Sequence, residues 1–352
     1  CKLFLQIEMR IKIMKMSKIL ACTLSFFMAI SGTSFGAEVN VYSARGEDLI
    51  KPALDTFTEQ TGIKVNLITE SADALIRRIQ LEGANSPADV LLTVDAGRLF
   101  RAKEAGILAS LESPILTQRI PSAYRDPDNQ WFGLSLRSRV IMFDKSRVSA
   151  EEISSYEDLA DPKWKGEICI RSSGNIYNQS LLASLIEHHG EEATEVWAEG
   201  LVSNMARRPQ GGDRDQIRAA VAGQCKLAVA NTYYLAGMLS SGVDTDVEIA
   251  QQIGVIWPNQ DNRGAHMNVS GAGLVKTSKN SEEARQLIEF LSDDYAQQWY
   301  SEVNNEYSVR ADIPVSSTLQ GFGGFKADQL NLEALGKNNE AAVRLADRAG
   351  WQ

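Results

Sequence analysis

The sequence predicts an α/β protein with two lobes, each a mixed, mostly parallel sheet flanked by helices, and a cleft between the lobes. Three observations support this fold class. Strand and helix patterns alternate three times from residue 39 onward, a second α/β pattern begins after residue 155, and no Pro/Gly/Ser-rich linker separates the two. Alternating strands and helices favour parallel strands, because each crossover helix returns the chain to the same edge of the sheet. Small ligands commonly bind in a cleft between such units.

The first α/β unit occupies residues 39–106. Three apolar runs predict its strands: Val39–Tyr42, Val65–Ile68 and Val90–Val94. Apolar residues recur at helical spacing after each run, and a glycine closes each helix pattern: Gly62, Gly83 and Gly106. In sheets of this kind, ligands bind beyond the carboxyl ends of the strands.

The second unit follows an extended stretch at residues 123–144. Apolar runs predict strands at 167–170, 227–230 and 271–275, and helical spacing predicts helices at 178–188, 191–201, 216–222 and 281–291. We therefore expect one lobe from residues 37–140 plus 268–318, and a second lobe from residues 141–267 plus 319–352.

The charge of the chain excludes some classes of partner. Its 352 residues include 36 Lys and Arg against 45 Asp and Glu, a net charge of −9. Five of the basic residues lie among the first 36, so the rest of the chain is more acidic still. Nucleic-acid binding requires basic stripes that neutralise phosphates, and we therefore predict no nucleic-acid partner.

The N-terminal segment has the pattern of a secretory signal peptide. Ile19–Ile30 is apolar but shorter than the ~20 residues needed to span a membrane. Basic residues precede this run, and the small residues Ser34 and Gly36 follow it at the positions of a cleavage site. We predict a signal peptide over residues 1–36, with Met16 as a candidate start. The mature protein would then be exported to the periplasm with no membrane span.

Four cysteines occur in the sequence, and Cys1 and Cys22 belong to the predicted leader. The remaining pair, Cys169 and Cys225, would lie in an oxidising compartment and is expected to form a disulfide. Two separate buried thiols are the alternative. Neither cysteine has a histidine at the spacing of a zinc site.

The sequence contains no pattern typical of an enzyme active site. It has no P-loop and no GxSxG nucleophile turn, and the glycines of 321–324 lack the spacing and preceding strand of a dinucleotide-binding loop. His188 and His189 are adjacent on a predicted helix, so they do not share a face. We therefore predict that the protein is not an enzyme.

Tyrosines follow several predicted strands. Tyr233 and Tyr234 come after the run at 227–230, Tyr177 follows the strand at 167–170, and Tyr42 ends the first strand, three residues before Arg45. All of these positions fall on the ligand side of a doubly wound sheet. Half-buried packing with hydrogen-bonded hydroxyls is the ordinary role of such tyrosines, and metal binding is the alternative.

Phenolate oxygen is a hard anionic donor. Because a free phenol has a pKa near ~10, it ionises at neutral pH only when a strong Lewis acid replaces its proton. Trivalent iron does this well, and three phenolates balance its charge. A small anion could fill the remaining coordination positions, held by the planar guanidinium of Arg45 and by N–H groups at a helix start.

These residues belong to a wider resemblance that covers nearly all of residues 37–352. The stretches that carry it are VNVYSAR (39–45), SPADVLLTVD (86–95), QWFGLSLRSRV (130–140), CIRSSGNIYNQ (169–179), RRPQGGDRDQ (207–216) and NTYY (231–234). The chain resembles the periplasmic ferric-ion-binding proteins of bacterial iron ABC transporters. This resemblance implies a type II periplasmic-binding-protein fold, with Fe(3+) bound in the cleft between the lobes.

The resemblance also implies roles for individual residues. The motif positions make Tyr177, Tyr233 and Tyr234 the metal-binding phenolates and Arg45 the residue that holds a synergistic anion, expected to be carbonate. The same resemblance implies that three further residues lie near the anion: Ser173, Asn175 and Asn231.

The chain departs from the family pattern after its first strand. Many relatives carry His, or His followed by Tyr, where Gly46 and Glu47 stand here. The sequence therefore resembles the subgroup with three tyrosines and an exogenous anion. Glu47 is either an additional carboxylate ligand or a solvated residue at a helix start.

Three charged residues have no assigned role from the motifs. Asp95, Arg137 and Arg139 are candidates for the hinge or the cleft, and a surface or salt-bridge role is equally open.

The resemblance implies a monomeric binding protein that delivers iron to an inner-membrane ABC permease with a cytoplasmic ATPase. Two other functions stay open at this point. The same fold could bind thiamine, a polyamine, a phosphonate or an oxyanion, or the protein could be an exported enzyme that uses tyrosine as an acid or radical.

Overall fold

The protein is described here from a computed structural model, which covers residues 36–352. The predicted signal peptide, the candidate start Met16 and the first two cysteines lie outside the described residues, apart from Gly36 at the predicted cleavage site. Between residues 36 and 352, no helix has both the length and the apolar character needed to cross a membrane.

The strands of the described chain form one continuous sheet. They are β1 (Glu38–Ser43), β2 (Lys64–Thr69), β3 (Val90–Val94), β4 (Leu108–Ala109), β5 (Phe132–Asp144), β6 (Ile168–Cys169), β7 (Leu227–Asn231), β8 (Ile253–Ile256), β9 (Met267–Val275) and β10 (Tyr307–Ser308). The order across the sheet is β2-β1-β3-β9-β5-β7-β6, with β4 paired to β9 and with β8 and β10 paired to β5.

Helices flank this sheet. They are α1 (Lys51–Thr61), α2 (Ala72–Glu82), α3 (Ala96–Glu104), α4 (Pro114–Arg119), α5 (Ile176–His189), α6 (Glu191–Ser203), α7 (Asp213–Val221), α8 (Thr232–Leu239), α9 (Asp244–Gln251), α10 (Ser281–Phe290), α11 (Asp294–Val303), α12 (Ser317–Gln320), α13 (Glu333–Lys337) and α14 (Asn339–Arg348). Short 3-10 turns lie at Glu47–Leu49, Gly83–Asn85, Ser122–Tyr124, Ala150–Glu152, Glu157–Ala160 and Pro162–Trp164.

The sheet is mixed, as the sequence predicts, but its centre is not parallel. Strand β1 pairs parallel with β2 and β3, and β6 pairs parallel with β7. The long strands β5 and β9 are antiparallel to each other, and β9 is also antiparallel to β3. The expectation of a mostly parallel sheet therefore holds at the two ends and is wrong in the middle. The reason is that alternating strand and helix patterns predict parallel pairing only between strands joined by one crossover, whereas β9 pairs with β3 and β5, which are distant from it in the sequence.

Strand β5 joins the two ends of the sheet. Its first half pairs with β9 and β10, and its second half pairs with β7 and β8. All of its residues are buried. Ser135, Arg137 and Arg139 lie two residues apart, so their side chains project from the same face of the strand. The exact boundaries of the two lobes stay a prediction.

The predicted cysteine pair is bonded. Cys169 at the end of β6 and Cys225 just before β7 are both buried, and their Cα atoms are 5.9 Å apart. The bond closes a sequence separation of 56 residues. It ties the strand that precedes Tyr177 to the chain that leads into Tyr233 and Tyr234.

Removing this disulfide should destabilise the fold. A Cys169→Ser/Cys225→Ser double variant frees the 56-residue loop in the unfolded state, so its free energy of unfolding should fall by about 2–4 kcal/mol. Urea unfolding of the variant and the oxidised parent measures the difference. Equal unfolding midpoints and slopes would contradict a stabilising role, and parent protein treated with reductant serves as a second comparison.

Candidate metal and anion site

A cavity of about 480 Å³ lies where the two halves of the sheet meet. Its polar lining comes from distant parts of the chain and includes Arg45, Arg137, Tyr177, Arg214, Tyr233, Tyr234 and Glu306. The backbone of Ala44 and Gly46 lies after β1, and Val94 ends β3. The cavity is therefore beyond the carboxyl ends of these strands, where ligands bind in open α/β sheets.

The three predicted metal-binding tyrosines sit in the first turns of two helices. Tyr177 is the second residue of α5, and Tyr233 and Tyr234 are the second and third residues of α8. Asn175 caps α5 by accepting a hydrogen bond from the Tyr177 N–H at 3.1 Å. The first turn of a helix is its positive end, so the backbone favours negative charge where these phenols lie.

The three phenols influence one another inside the cavity. The rings of Tyr233 and Tyr234 lie 4.3 Å apart between centroids. Burial raises the pKa of Tyr233 well above its ordinary value, with further raising by the phenols of Tyr177 and Tyr234. Burial, and then the Tyr177 phenol, also raises the pKa of Tyr234. Tyr233 and Tyr234 therefore stay protonated and neutral at neutral pH unless a cation displaces their protons.

Two arginines lie against the tyrosine rings. The guanidinium carbon of Arg137 is 5.5 Å from the centre of the Tyr177 ring, and that of Arg214 is 5.3 Å from the centre of the Tyr234 ring. Arg137 is almost fully buried, whereas Arg214 is exposed at the start of α7. Cations over aromatic faces are attracted by the ring quadrupole, so these contacts help to fix the orientation of both rings.

Arg45 is buried in the cavity and paired with Glu306. Its Nη1 donates to Glu306 Oε2 at 3.0 Å, and the hydroxyl of Ser135 donates to the same oxygen at 2.6 Å. Arg137 Nη1 is 3.9 Å from the other carboxylate oxygen. Glu306 thus lies between the two buried arginines of the cavity.

A buried network joins the chain around Tyr177 to the chain around Tyr233. Arg139 donates to Asp213 at 2.7 Å, to Asn178 at 2.8 Å and to Asn231 at 3.1 Å. Arg171 donates to the second oxygen of Asp213 at 2.7 Å. Asn178 directly follows Tyr177, and Asn231 lies two residues before Tyr233. This network therefore fixes the two helix starts relative to each other.

The structure brings some of the predicted site residues together and leaves others apart. Tyr177, Tyr233, Tyr234 and Arg45 all line the cavity. The predicted anion contacts are differently placed, because their side chains have other partners. Ser173 donates its hydroxyl to the carbonyl of Trp351, Asn175 caps α5, and Asn231 accepts from Arg139 while its amide lies 3.5 Å from the Tyr233 hydroxyl. The roles of all these residues in ligand binding stay predictions.

Tyr42 and Glu47, the two other candidate site residues near the first strand, are not among the residues that line the cavity. The Tyr42 hydroxyl donates to Glu82 at 3.3 Å, and Arg78 lies over the Tyr42 ring. Glu47 is exposed in the 3-10 turn that follows Gly46.

Asp95 occupies a junction between helices rather than the cavity. It is fully buried with a positive φ of 82°, and it accepts hydrogen bonds from the Gly97 N–H, the Ser180 hydroxyl and the Asn268 amide. Burial raises the pKa of this carboxyl. Its contact with Ser180 links the start of α3 to the middle of α5.

Sequence reasoning missed Glu306 and Arg214. Both line the cavity, but Glu306 is 261 residues from its partner Arg45. A local sequence pattern carries no signal for such a contact. Arg214 lies within the family stretch 207–216, which marks a region of interest but assigns no role to this side chain.

Comparison with known proteins extends these observations. A family described as bacterial extracellular solute-binding protein matches residues 85–319. Iron uptake protein A1 of Synechocystis is 50% identical over 315 residues, which are 90% of this chain and 88% of that protein.

Two solved structures are similarly close. A Trichodesmium protein, IdiA or FutA, in complex with iron and citrate ligands, is 51% identical with a TM-score of 0.88 and covers 90% of this chain and 100% of its own. A ferric binding protein from Campylobacter jejuni is 40% identical with a TM-score of 0.84. The match covers 89% of this chain and 100% of that protein's chain.

The chain therefore belongs to the bacterial extracellular solute-binding proteins. Within them it belongs to the ferric-ion-binding group with the two-lobed type II periplasmic-binding-protein fold. The resemblance that the sequence motifs indicate is confirmed. Its close relatives are iron-binding and iron-uptake proteins, which agrees with the prediction of a binding protein.

The buried network around Asp213 should be important for stability. An Asp213→Asn variant leaves Arg139 buried without its carboxylate partner, so the free energy of unfolding should fall by about 3–5 kcal/mol. Urea unfolding measures the change. Asp261→Asn, at an exposed aspartate, is the matched control and should unfold like the parent. A variant at Asp213 that unfolds like the parent would show that the network does not hold the two helix starts.

Proposed function

We propose that this protein is the substrate-binding component of an iron ABC importer. It captures Fe(3+) in the cavity through Tyr177, Tyr233 and Tyr234, together with an anion at Arg45, and delivers the iron to a membrane permease with a cytoplasmic ATPase. The observation that carries the proposal is the convergence of three phenols and a buried arginine on one cavity. The iron-uptake relatives favour this function over the binding of thiamine, polyamines or phosphonates.

The chemistry follows from the state of the phenols. Burial raises the pKa of Tyr233 and Tyr234, so these two phenols are neutral rather than repelling phenolates when no metal is bound. A hard trivalent cation replaces the phenolic protons and balances the charge of three phenolates. A divalent cation would leave a buried excess of negative charge, which is unfavourable in a low-dielectric cavity. The cavity therefore favours Fe(3+) over Fe(2+).

The anion completes the coordination. Three phenolates leave positions on the iron, and Arg45 presents a permanently charged, planar donor set beside them. We propose carbonate as the anion. The Trichodesmium relative was solved with iron and citrate ligands, so citrate is the competing anion to include in binding experiments.

Release of iron should follow opening of the cavity, reduction or acid. Opening breaks contacts that come from both halves of the sheet. Reduction lowers the charge that the phenolates balance. Acid returns protons to the phenolates, so binding of iron and binding of protons compete.

The proposal includes export and delivery. The N-terminal sequence pattern and the description of the family as extracellular both support a periplasmic location. We propose that the protein acts as a monomer, that it is a carrier rather than an enzyme, and that its membrane partner is an ABC permease.

Iron loading should produce a visible tyrosinate-to-iron charge-transfer band. We expect the band when ferric nitrilotriacetate and bicarbonate are added to iron-free protein. A Tyr233→Phe/Tyr234→Phe variant should lose it, because two of the three phenolates are gone. Absorbance titration and metal analysis after desalting measure both effects.

Tyr295→Phe is the matched control for this experiment. Tyr295 is exposed, and its hydroxyl pairs with Thr56 at 2.9 Å, away from the cavity. This variant should bind iron like the parent. A band of parental intensity in the Tyr233/Tyr234 variant would rule out the proposed ligands.

The bound iron should be lost as the pH falls. The raised pKa values of Tyr233 and Tyr234 mean that the cavity prefers neutral phenols, so protons compete increasingly with iron below neutral pH. Acid titration of the loaded protein, followed by the charge-transfer band and by bound iron, should show both declining together. A band that persists unchanged into acid, or that strengthens there, would contradict phenolate coordination.

A further inference from the structure

Glu306 is a buried carboxylate that lies beside Arg45 and Arg137 in the cavity. It lies directly before β10, and its side chain is held by the Ser135 hydroxyl at 2.6 Å and by Arg45 at 3.0 Å. Arg137 lies 3.9 Å from its other oxygen. The carboxylate therefore occupies the place between two buried guanidinium groups that a small bound anion would otherwise favour.

Both arginines retain donor capacity. Within residues 36–352, the Nε–H groups of Arg45 and Arg137 are buried and have no hydrogen-bond partner. Arg45 is 3% exposed and Arg137 is 1% exposed. Unpaired buried donors are unfavourable, so each of these two N–H groups would gain from a hydrogen bond to an oxyanion in the cavity.

The local charge sets the affinity of that site. Two guanidinium groups carry two positive charges, and Glu306 cancels one of them. An anion added to the iron-free cavity would meet two guanidinium groups whose charge Glu306 already neutralises in part, and the nearby carboxylate would repel it. When Fe(3+) replaces three phenolic protons, the iron and its phenolates are neutral together, and the open coordination positions attract the anion.

We propose that Glu306 is an internal competitor of the anion, which makes anion binding depend on iron. It keeps free oxyanions from occupying Arg45 and Arg137 before iron arrives, and it holds Arg45 in the orientation that the anion later uses. Glu306 is thus a positioning residue that sets how strongly the binding of iron and the binding of the anion depend on each other. This inference rests on the proposed function, since it concerns the anion that accompanies iron.

The coupling must be reciprocal. If iron increases the affinity for the anion, the anion increases the affinity for iron by the same factor. If the Glu306 carboxylate weakens anion binding more in the iron-free protein than in the iron-loaded protein, where the metal itself binds the anion, it increases the factor by which iron strengthens anion binding. Removing the charge of Glu306 should reduce that factor mainly by strengthening anion binding in the absence of iron.

Glu306→Gln tests this with little change in shape. The amide oxygen of glutamine can still accept from Ser135 and Arg45, so the geometry is preserved while one negative charge is removed. Calorimetric titration of iron-free protein with sodium bicarbonate should show binding tighter than in the parent by about tenfold or more. Titrations with phosphate and citrate in parallel identify which anion gains most.

Two further variants complete the experiment. Glu302→Gln, an exposed glutamate in α11, is the matched control and should bind bicarbonate like the parent. Glu306→Asp keeps the charge and should also bind bicarbonate weakly in the absence of iron. Thermal unfolding of each variant shows whether it is folded.

The outcomes separate this inference from the proposed function. If iron-free parent protein already binds bicarbonate as tightly as iron-loaded protein, the inference is wrong, whatever the variants do. If Glu306→Gln loses iron without gaining anion affinity, Glu306 is an iron ligand and not a competitor. Absence of the charge-transfer band in the parent itself would instead contradict the proposed function.

Discussion

The arrangement of the whole site depends on one constraint, which is that the half-buried phenols of Tyr233 and Tyr234 remain neutral until a cation takes their protons. Burial and mutual proximity raise the pKa of Tyr233 and Tyr234. The metal-free protein therefore avoids the cost of unpaired anions at these two positions. The same feature makes loading selective, because only a strongly charged cation offsets the loss of the phenolic protons.

This constraint explains the role of the surrounding polar side chains. Phenols that bind one ion must start from fixed positions, and the Arg139–Asp213 network holds the helix starts of α5 and α8 together. Strand β5 contributes to each part of the site from one face: Ser135 holds Glu306, Arg137 lies over the Tyr177 ring, and Arg139 binds Asp213. A strand that pairs with both ends of the sheet is well suited to this, because side chains of one strand reach both Glu306 and the network around Asp213.

The sequence predicted the local structure well and the long-range contacts poorly. The strands at β1, β2, β3, β7 and β9 and the helix that follows each of the first three are where apolar spacing placed them, because periodicity reports burial directly. The tyrosines were found because they follow strand ends in family motifs. The roles of Ser173 and Asn175 at the anion stay predictions; the bond from Ser173 to the Trp351 carbonyl spans the chain and has no local signal, whereas Asn175 caps the helix that it precedes. Glu306 was missed because its partner Arg45 lies 261 residues away.

The central claim is that three phenolate oxygens coordinate a single ferric ion in this cavity. Resonance Raman spectroscopy of the iron-loaded protein, excited within its visible absorption, tests the claim most directly. The account predicts enhanced ring and C–O vibrations of coordinated tyrosinate, which shift when the protein is labelled with ring-deuterated tyrosine. Loaded protein whose spectrum lacks these vibrations, or whose spectrum is insensitive to the label, would show that the iron is held by other groups.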